Sequence, residues 1–401
     1  MSGPEADSPN PFIRYRWLLD SYRAAIGRGW TDADFVSLVQ RLNDAVAQVS
    51  KGRGFEMTPL TRHPSLAAAT SLPTDLLWVK DDTINVGGSH KARHLFGVLL
   101  DQAVAGETEG ELAIASCGNA AVAAAVVAKA VGRKLRVFIP TWADPTVLAV
   151  LERLDSTIEV APRRPGEVGD PTVLRMREAI DEGSVPFSVQ GTITPATLDG
   201  GRTIGWELAE QLGIAGAQGT VHVFVQVGGG ALAASLWRGL NEGIREQWLA
   251  ARPILHTVQT DAAAPLNRAW RSLLVEMEGH PMLEHADQVD RALEVAQAEP
   301  HRFMWAWEEV GTSAASGILD DFTYDWVPVV EGTLRSEGRA EVVSEGMILR
   351  AHELARTYTA IKVDPTGSAG LAGLFDPAIA GYVHPQDNVV VLFTGIDRNA
   401  G

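Results

Sequence analysis

From Leu76 onward, short runs rich in aliphatic and β-branched residues alternate with longer stretches whose apolar positions recur every three or four residues. This alternation predicts an α/β fold, parallel strands covered by helices. The short runs place strands at 76–80, 112–116, 135–139, 157–160, 221–227, 254–259 and 388–393. The longer stretches place helices at 119–131, 144–154, 171–182, 201–212 and 342–358. In the last of these, Val343, Met347, Ile348, Ala351 and Leu354 fall at helical spacing, so one face is expected to be buried.

Two regions break the alternation. Around Phe35, Leu38, Val39 and Leu42 the periodicity is helical with no strand between, so the first sixty residues read as an added helical segment. Between Trp305 and Glu341 the pattern is irregular, and the run from Gly311 to Gly317 is too small and polar for a plain core helix, which predicts a loop near the site. No internal repeat and no low-complexity linker interrupts the chain.

The net charge of -16, from 50 acidic against 34 basic residues, argues against a nucleic-acid backbone or an anionic membrane as the main partner and directs attention to a small molecule. A single cysteine, Cys117, excludes an internal disulfide framework and a multi-cysteine zinc site, and fits a reducing cytoplasm. Cys117 itself reads as a small buried residue rather than a nucleophile. The opening residues are polar, acidic and proline-containing, with no secretory pattern, so no export is expected. The apolar stretch 120–131 is alanine-rich, interrupted by Lys129, and shorter than the roughly 20 residues that cross a bilayer. It reads as a buried helix.

Four short constellations could carry chemistry. In the run from Lys80 to Arg93, a strand end leads through Gly87 and Gly88 to His90 and Lys91, which opens a helix. A lysine so placed could react with an aldehyde if desolvation or a cationic neighbour lowered its pKa; taken alone, a solvated first-turn lysine is the commoner case, since surface lysines are the rule. Ser116-Cys117-Gly118-Asn119-Ala120 joins an apolar strand to an alanine-rich helix, where free backbone N–H groups attract an anion, although a turn with a capping asparagine has the same look. Val227-Gly228-Gly229-Gly230-Ala231-Leu232 follows another apolar strand, and its glycines allow a backbone to approach a phosphate or simply to pack tightly. It matches neither the dinucleotide fingerprint nor a P-loop. Finally, Thr394 places a hydroxyl at the end of an apolar strand, where a satisfied core threonine is the plain alternative.

Taken in order and spacing, the four sets resemble the fold-type II pyridoxal-phosphate enzymes, the tryptophan synthase β-like superfamily that includes threonine synthases, cysteine synthases and serine or threonine dehydratases. The resemblance runs from Thr58-Pro59-Leu60 to Thr394. It implies pyridoxal 5′-phosphate as cofactor, held by Lys91 as a Schiff base, with His90 helping to grip the phosphate as in tryptophan synthase β. It implies that Ser116, Gly118, Asn119 and Ala120 bind the substrate carboxylate, with Asn119 also meeting the cofactor's phenolic oxygen. The phosphate falls to Gly228, Gly229, Gly230, Ala231 and Leu232, and Thr394 faces the pyridine nitrogen.

Arg14-Tyr15-Arg16, the run from Gly201 to Glu207, the run from Gln259 to Leu266 and the run from Asp364 to Leu371 look most like the threonine synthase branch. Around the lysine the chain departs from that branch's N-P-T-G-S-F-K-D-R at Val86, Gly87, His90 and Ala92, and Lys91-Ala92-Arg93 looks more like D-serine and threonine dehydratases. The implied architecture has two parallel-sheet lobes with helices on both faces: a large cofactor lobe of 58–94 and 195–401, a small lobe of 95–194 carrying the Ser116–Asn119 loop, and the helical segment 1–57 packed on the large lobe.

The implied reaction is elimination from a hydroxy- or O-substituted amino acid through an aminoacrylate-type intermediate, by a dehydratase (ammonia-lyase) or a threonine-synthase-like lyase. Lys91 serves as α-proton base, and the family suggests a homodimer. The alternatives are β-replacement of the cysteine synthase or tryptophan synthase β type and a catalytically silent relative that binds the cofactor. A nicotinamide oxidoreductase lacks its fingerprint and its acidic ribose ligand. No metal is expected.

Overall fold

The computed structural model describes residues 7–167 and 169–398. Its strands, numbered along the chain, are β1 (Leu60–Arg62), β2 (Leu77–Asp81), β3 (Leu112–Ala115), β4 (Leu135–Ile139), β5 (Thr157–Val160), β6 (Val185–Pro186), β7 (Val221–Gln226), β8 (Ile254–Thr260), β9 (Ala340–Val343) and β10 (Asn388–Phe393). All seven strands expected from the pattern are present, each within one residue at either end. Contacts divide the chain into two units, the residues up to Met57 with Ile84–Thr203, and Thr58–Thr83 with Ile204 onward.

In the first unit, β5-β4-β3-β6 form a parallel sheet. Its edges are modest: β6 is two residues long and carries Pro186, which has no N–H to donate. Ala113 and Phe138 of the sheet pack with Val173, Met176 and Ala179 of the Pro171–Asp181 helix. The 120–131 stretch is the expected buried helix, Asn119–Ala130.

The N-terminal segment belongs to this unit rather than to the other, which differs from the expected lobe boundaries. Phe12 and Phe55 stack edge-on or tilted against Phe96, with ring centroids 4.7 and 4.5 Å away. Asp199 accepts backbone hydrogen bonds from Asp20 and Ser21 at the start of the Asp20–Gly27 helix, at 3.0 and 3.2 Å. The Asp32–Val49 helix, capped by a Thr31–Asp34 capping box, lies against the Asn119–Ala130 helix. A helix that buries its apolar face goes where aromatic and carboxylate partners meet it, and here these partners are Phe96 and Asp199.

The second unit carries a six-stranded sheet in the order β1-β2-β10-β7-β8-β9, parallel except for the short edge strand β1. Every residue of β7 and β10 is buried, as central parallel strands covered on both faces require. Leu77, Val79, Phe224, Val258, Val389, Val391 and Phe393 form a core with Ile348, Ala351 and Ala369 from two helices on the sheet. Met347 and Leu354 pack at its margin, so the expected helical face is buried.

The 342–358 helix begins later than expected. Val342 and Val343 belong to β9, paired with Gln259 and Thr260, and the Ser344 side chain caps a helix that runs over Glu345–Thr359. The irregular 305–341 stretch also resolves into two parts. Trp326–Arg335 is a helix that buries Trp326, Val329, Val330 and Leu334, whereas 305–325 holds no helix beyond a short 3-10 turn, Ser316–Ile318.

Candidate active site

The lysine turn is built by glycine and asparagine. Gly87 and Gly88 have φ of 67° and 75°, which side-chain-bearing residues rarely adopt, and the Asn85 amide bonds to Ser89 O at 3.2 Å. His90 then occupies the cap position and Lys91 is the first residue of the Lys91–Ala105 helix. A Cβ on Gly87 would lie 3.5 Å from Ala123 Cα, so the turn rests against the Asn119–Ala130 helix. The Lys91 helix is fixed from its other side, because Gly200 approaches so closely that a Cβ there would sit 2.2 Å from Arg93 O. Buried Arg93 adds a bond to Thr203 Oγ1 at 3.1 Å.

One turn after Lys91 stands His94, which the sequence reading missed. Its Nδ1 lies 2.9 Å from Thr197 O, and a carbonyl accepts only, so Nδ1 carries the proton. Burial, then the nearby Lys91 charge, push its pKa down to about 3 against the opposing pull of the Thr197 carbonyl. His94 is a neutral imidazole at any physiological pH. Its Nε2 and the buried Ser89 Oγ have no hydrogen-bond partner among the described residues.

Ser116 to Asn119 form the turn between β3 and the Asn119–Ala130 helix, with Gly118 in the cap position and no side-chain cap. A Cβ on Gly118 would meet nothing within 4 Å. Ser116, Cys117, Gly118 and Asn119 are half-buried and Ala120 is buried. Cys117 is therefore not the fully buried residue expected. The turn leaves room for a small anion in front of a helix start, where backbone N–H groups favour negative charge.

In the second unit, Gly228, Gly229 and Gly230 connect β7 to the Ala231–Arg245 helix, again with no side-chain cap. Ala231 and Leu232 are buried. Gly230 has φ 98°, a conformation that requires glycine. Here the surroundings are closed. A Cβ on Gly228 would lie 2.2 Å from Asp320 Oδ2 and 3.0 Å from Ile318 Cα, and one on Gly230 3.1 Å from Thr323 Cγ2. Asp325 N also bonds to Gly229 O at 2.9 Å. The irregular stretch after Trp305 thus packs on the glycine turn. Asp320, too distant in sequence to be linked with it, was missed.

Thr394, just past β10, is 2% exposed. Gln226, the last residue of the neighbouring β7, donates through Nε2 to Thr394 Oγ1 at 2.6 Å and to Gly367 O at 3.0 Å. Asp364 caps the Pro365–Ala372 helix by accepting from Gly367 N, which accounts for the Asp364-Pro365-Thr366-Gly367 motif. The second unit thus holds a fixed hydroxyl and a glycine-lined helix start, and the first unit holds a lysine at a helix start and a turn with free space before another helix. Among the described residues, no group of three or more His, Cys, Asp or Glu could hold a metal. None of their helices is long and apolar enough to cross a membrane.

The family described as "Pyridoxal-phosphate dependent enzyme" matches residues 51–395. Threonine synthase of Bacillus sp. (strain ULM1) is 24% identical over 323 residues, covering 80% of this chain and 77% of that protein. The threonine deaminase structure from T.th. superposes with TM-score 0.65 at 22% identity, covering 90% of this chain and 99% of that one. Diaminopropionate ammonia lyase from Escherichia coli, solved with an aminoacrylate-PLP azomethine intermediate, gives 0.64 at 16% identity, covering 90% and 89%. With a family match across most of its length and the strand–turn–helix units in place, the chain belongs to the pyridoxal-phosphate-dependent enzymes of fold type II, the tryptophan-synthase-β-like group.

Proposed function

We propose that the enzyme is a lyase that eliminates an oxygen leaving group from the β- or γ-carbon of a small amino acid, acting as a dehydratase or as a threonine-synthase-like enzyme. The observation that supports the reading is the buried Thr394 hydroxyl, which accepts from Gln226 at the carboxyl end of the central strands; in this reading it would stand where other pyridoxal enzymes use a carboxylate. Bound pyridoxal phosphate supplies an electron sink for the electrons left when the substrate loses its α-proton. Thr394 would be the residue to meet the ring nitrogen, and an alcohol there would not readily protonate it, so the weaker sink would favour loss of a leaving group.

The chain's own residues divide the remaining work. Lys91 anchors the cofactor and, once released, takes the α-proton at Nζ. Backbone N–H groups of Gly228, Gly229, Gly230, Ala231 and Leu232 bind the phosphate at a helix start, with His90 contributing from its own turn. The Ser116 to Ala120 turn binds the substrate carboxylate, and Asn119 orients the cofactor ring through its phenolic oxygen. The names of the relatives, a threonine synthase and two ammonia-releasing enzymes, support elimination as the shared step. The assembly proposed is a homodimer.

The test offers L- and D-serine, L- and D-threonine, O-phosphohomoserine, and O-acetylserine with and without a thiol. Ammonia with a 2-oxo acid, or threonine from O-phosphohomoserine, is expected. Turnover of O-acetylserine with a thiol alone would replace this reading by β-replacement.

A further inference from the structure

At the amino ends of the central strands, opposite the glycine turn, three buried polar side chains meet. His222 is the second residue of β7, His256 the third of β8, and Asp387 immediately precedes β10, where Asn388 pairs with Val221. Their exposures are 1%, 0% and 4%. His222 Nδ1 lies 3.0 Å from His256 Nε2, and His222 Nε2 lies 3.4 Å from Asp387 Oδ2, which also accepts from His384 N at 2.8 Å. The two rings are 21° from coplanar with centroids 5.3 Å apart, so their nitrogens meet edge to edge, along the lone-pair direction.

The carboxylate sets the direction of both bonds. An ionised carboxylate only accepts, so the proton of neutral His222 is on Nε2 and its Nδ1 offers a lone pair. His256 must then donate through Nε2, which leaves its own Nδ1 as an acceptor. That nitrogen is buried and has no hydrogen-bond partner among the described residues. The His256 ring has little freedom to turn and find one, because it stacks on Phe224 at 4.4 Å and 12°, and Tyr382 stands edge-on at 5.7 Å. The Tyr382 hydroxyl donates elsewhere, to Glu337 O. Both nitrogens of His222 are engaged, so the trio is not a metal site.

The surrounding charges are asymmetric. Burial, then His222 and Arg339, oppose a positive charge on His256, and Arg339 is itself bound to Glu341 at 2.6 Å. Burial also opposes a charge on His222, as does His384, but the hydrogen bond and charge of Asp387 favour it. We infer that Asp387, His222 and His256 form a buried proton relay, which takes up one proton at His256 Nδ1 and holds the resulting charge on His222 against Asp387. The proton comes from solvent and binds His256 Nδ1; the His256 Nε2 proton crosses to His222 Nδ1, and the His222 Nε2 proton stays facing Asp387. His256 ends neutral with its tautomer reversed, and His222 ends as an imidazolium. The two rings thus titrate as one unit. The long Asp387 contact becomes a charge-assisted bond, so acid latches the start of β7 to the turn before β10. This pH-sensitive latch goes beyond the proposed function and does not depend on it.

The experiment follows the imidazole nitrogens of ¹⁵N-histidine-labelled holoenzyme by NMR from about pH 8 to about pH 5, with His222→Gln and His256→Phe to assign the signals. At the alkaline end both residues are expected as Nε2–H tautomers. On acidification His222 should gain a second proton while His256 stays neutral and moves to the Nδ1–H tautomer, both with one midpoint. Asp387→Asn, which keeps an acceptor for His384 N, should move that midpoint down by about one pH unit or more.

If Asp387→Asn fails to fold, His256→Phe serves in its place: the Nδ1–H of a protonated His222 would then face a ring carbon, and His222 should take its proton about one pH unit lower than in the parent. Separate midpoints for the two rings, a doubly protonated His256, or an Nδ1–H tautomer of His222 at the alkaline end would overturn the relay. So would an Asp387→Asn or His256→Phe midpoint equal to the parent's, or no proton uptake by either ring before the protein unfolds.

Discussion

Two turns in this protein share one plan, a parallel strand, a glycine-containing bend and a helix start without a side-chain cap, yet their surroundings are opposite. At Gly118 a Cβ would find nothing within 4 Å, whereas at Gly228 it would strike Asp320 and Ile318 at 2.2 and 3.0 Å. Glycine in the open turn leaves space in front of a helix start for a ligand. In the closed turn it serves the protein first, as room for the 318–325 segment at Gly228 and as a left-handed backbone at Gly230. Glycine in the closed turn is therefore a packing requirement, and substitutions there must be read through stability as well as through any effect on ligand affinity.

Two lysines near the start of the chain's α/β region extend the contrast. Lys80 on β2 is fully buried against Glu207, and its three donors reach Glu207, Thr58 O and Gln211 at 2.6, 2.7 and 2.9 Å. Lys80→Met should cost about 3–5 kcal/mol in denaturant unfolding, because it strands a buried carboxylate. A loss under about 1 kcal/mol would mean that Glu207 finds another partner. Such a lysine is committed to structure, in contrast with the role proposed for Lys91.

Among the glycines, Gly228→Ala should destabilise by about 1–3 kcal/mol, since Asp320 and Ile318 must move. Gly118→Ala should change stability by less than about 1 kcal/mol and instead raise the substrate KM. Unfolding midpoints and KM for the two variants together decide the matter; equal losses of stability would erase the distinction between an open and a closed turn.

A weaker effect depends on pH and falls on both units. Burial lowers the pKa of His94, His222 and His256, the last also through His222 and Arg339 nearby. As pH falls through about 6.5, the unfolded chain takes protons that these folded histidines refuse. Stability should thus be present above that pH and decline progressively below it. Midpoints measured between about pH 8 and 5 should be level and then fall, and a profile that stays level throughout would refute the assignment.

The strands were legible because central parallel strands are apolar on both faces, as β7 and β10 are. Strand β9 was not, because Val342 and Val343 continue smoothly into a helical repeat and only Ser344 marks the change. The allegiance of the N-terminal segment depends on partners remote in sequence, Phe96 and Asp199, which periodicity does not reveal. At the candidate site, Lys91, the glycines and Thr394 were each ambiguous alone, and only their order and spacing, through the family resemblance, singled them out. Gln226 had a faint signal, an amide ending a strand otherwise rich in β-branched and aromatic residues just before three glycines. Asp320 had none, since a loop far along the chain meets Gly228 only in the folded protein.

Whether Lys91 carries the cofactor is decided by borohydride reduction of the holoenzyme followed by peptide mapping. The pyridoxyl group is expected on Lys91, and Lys91→Ala should lose it together with about 10³-fold or more of turnover. A reduced adduct on Lys51, Lys80, Lys129, Lys134 or Lys362 would contradict that assignment and the mechanism built on it.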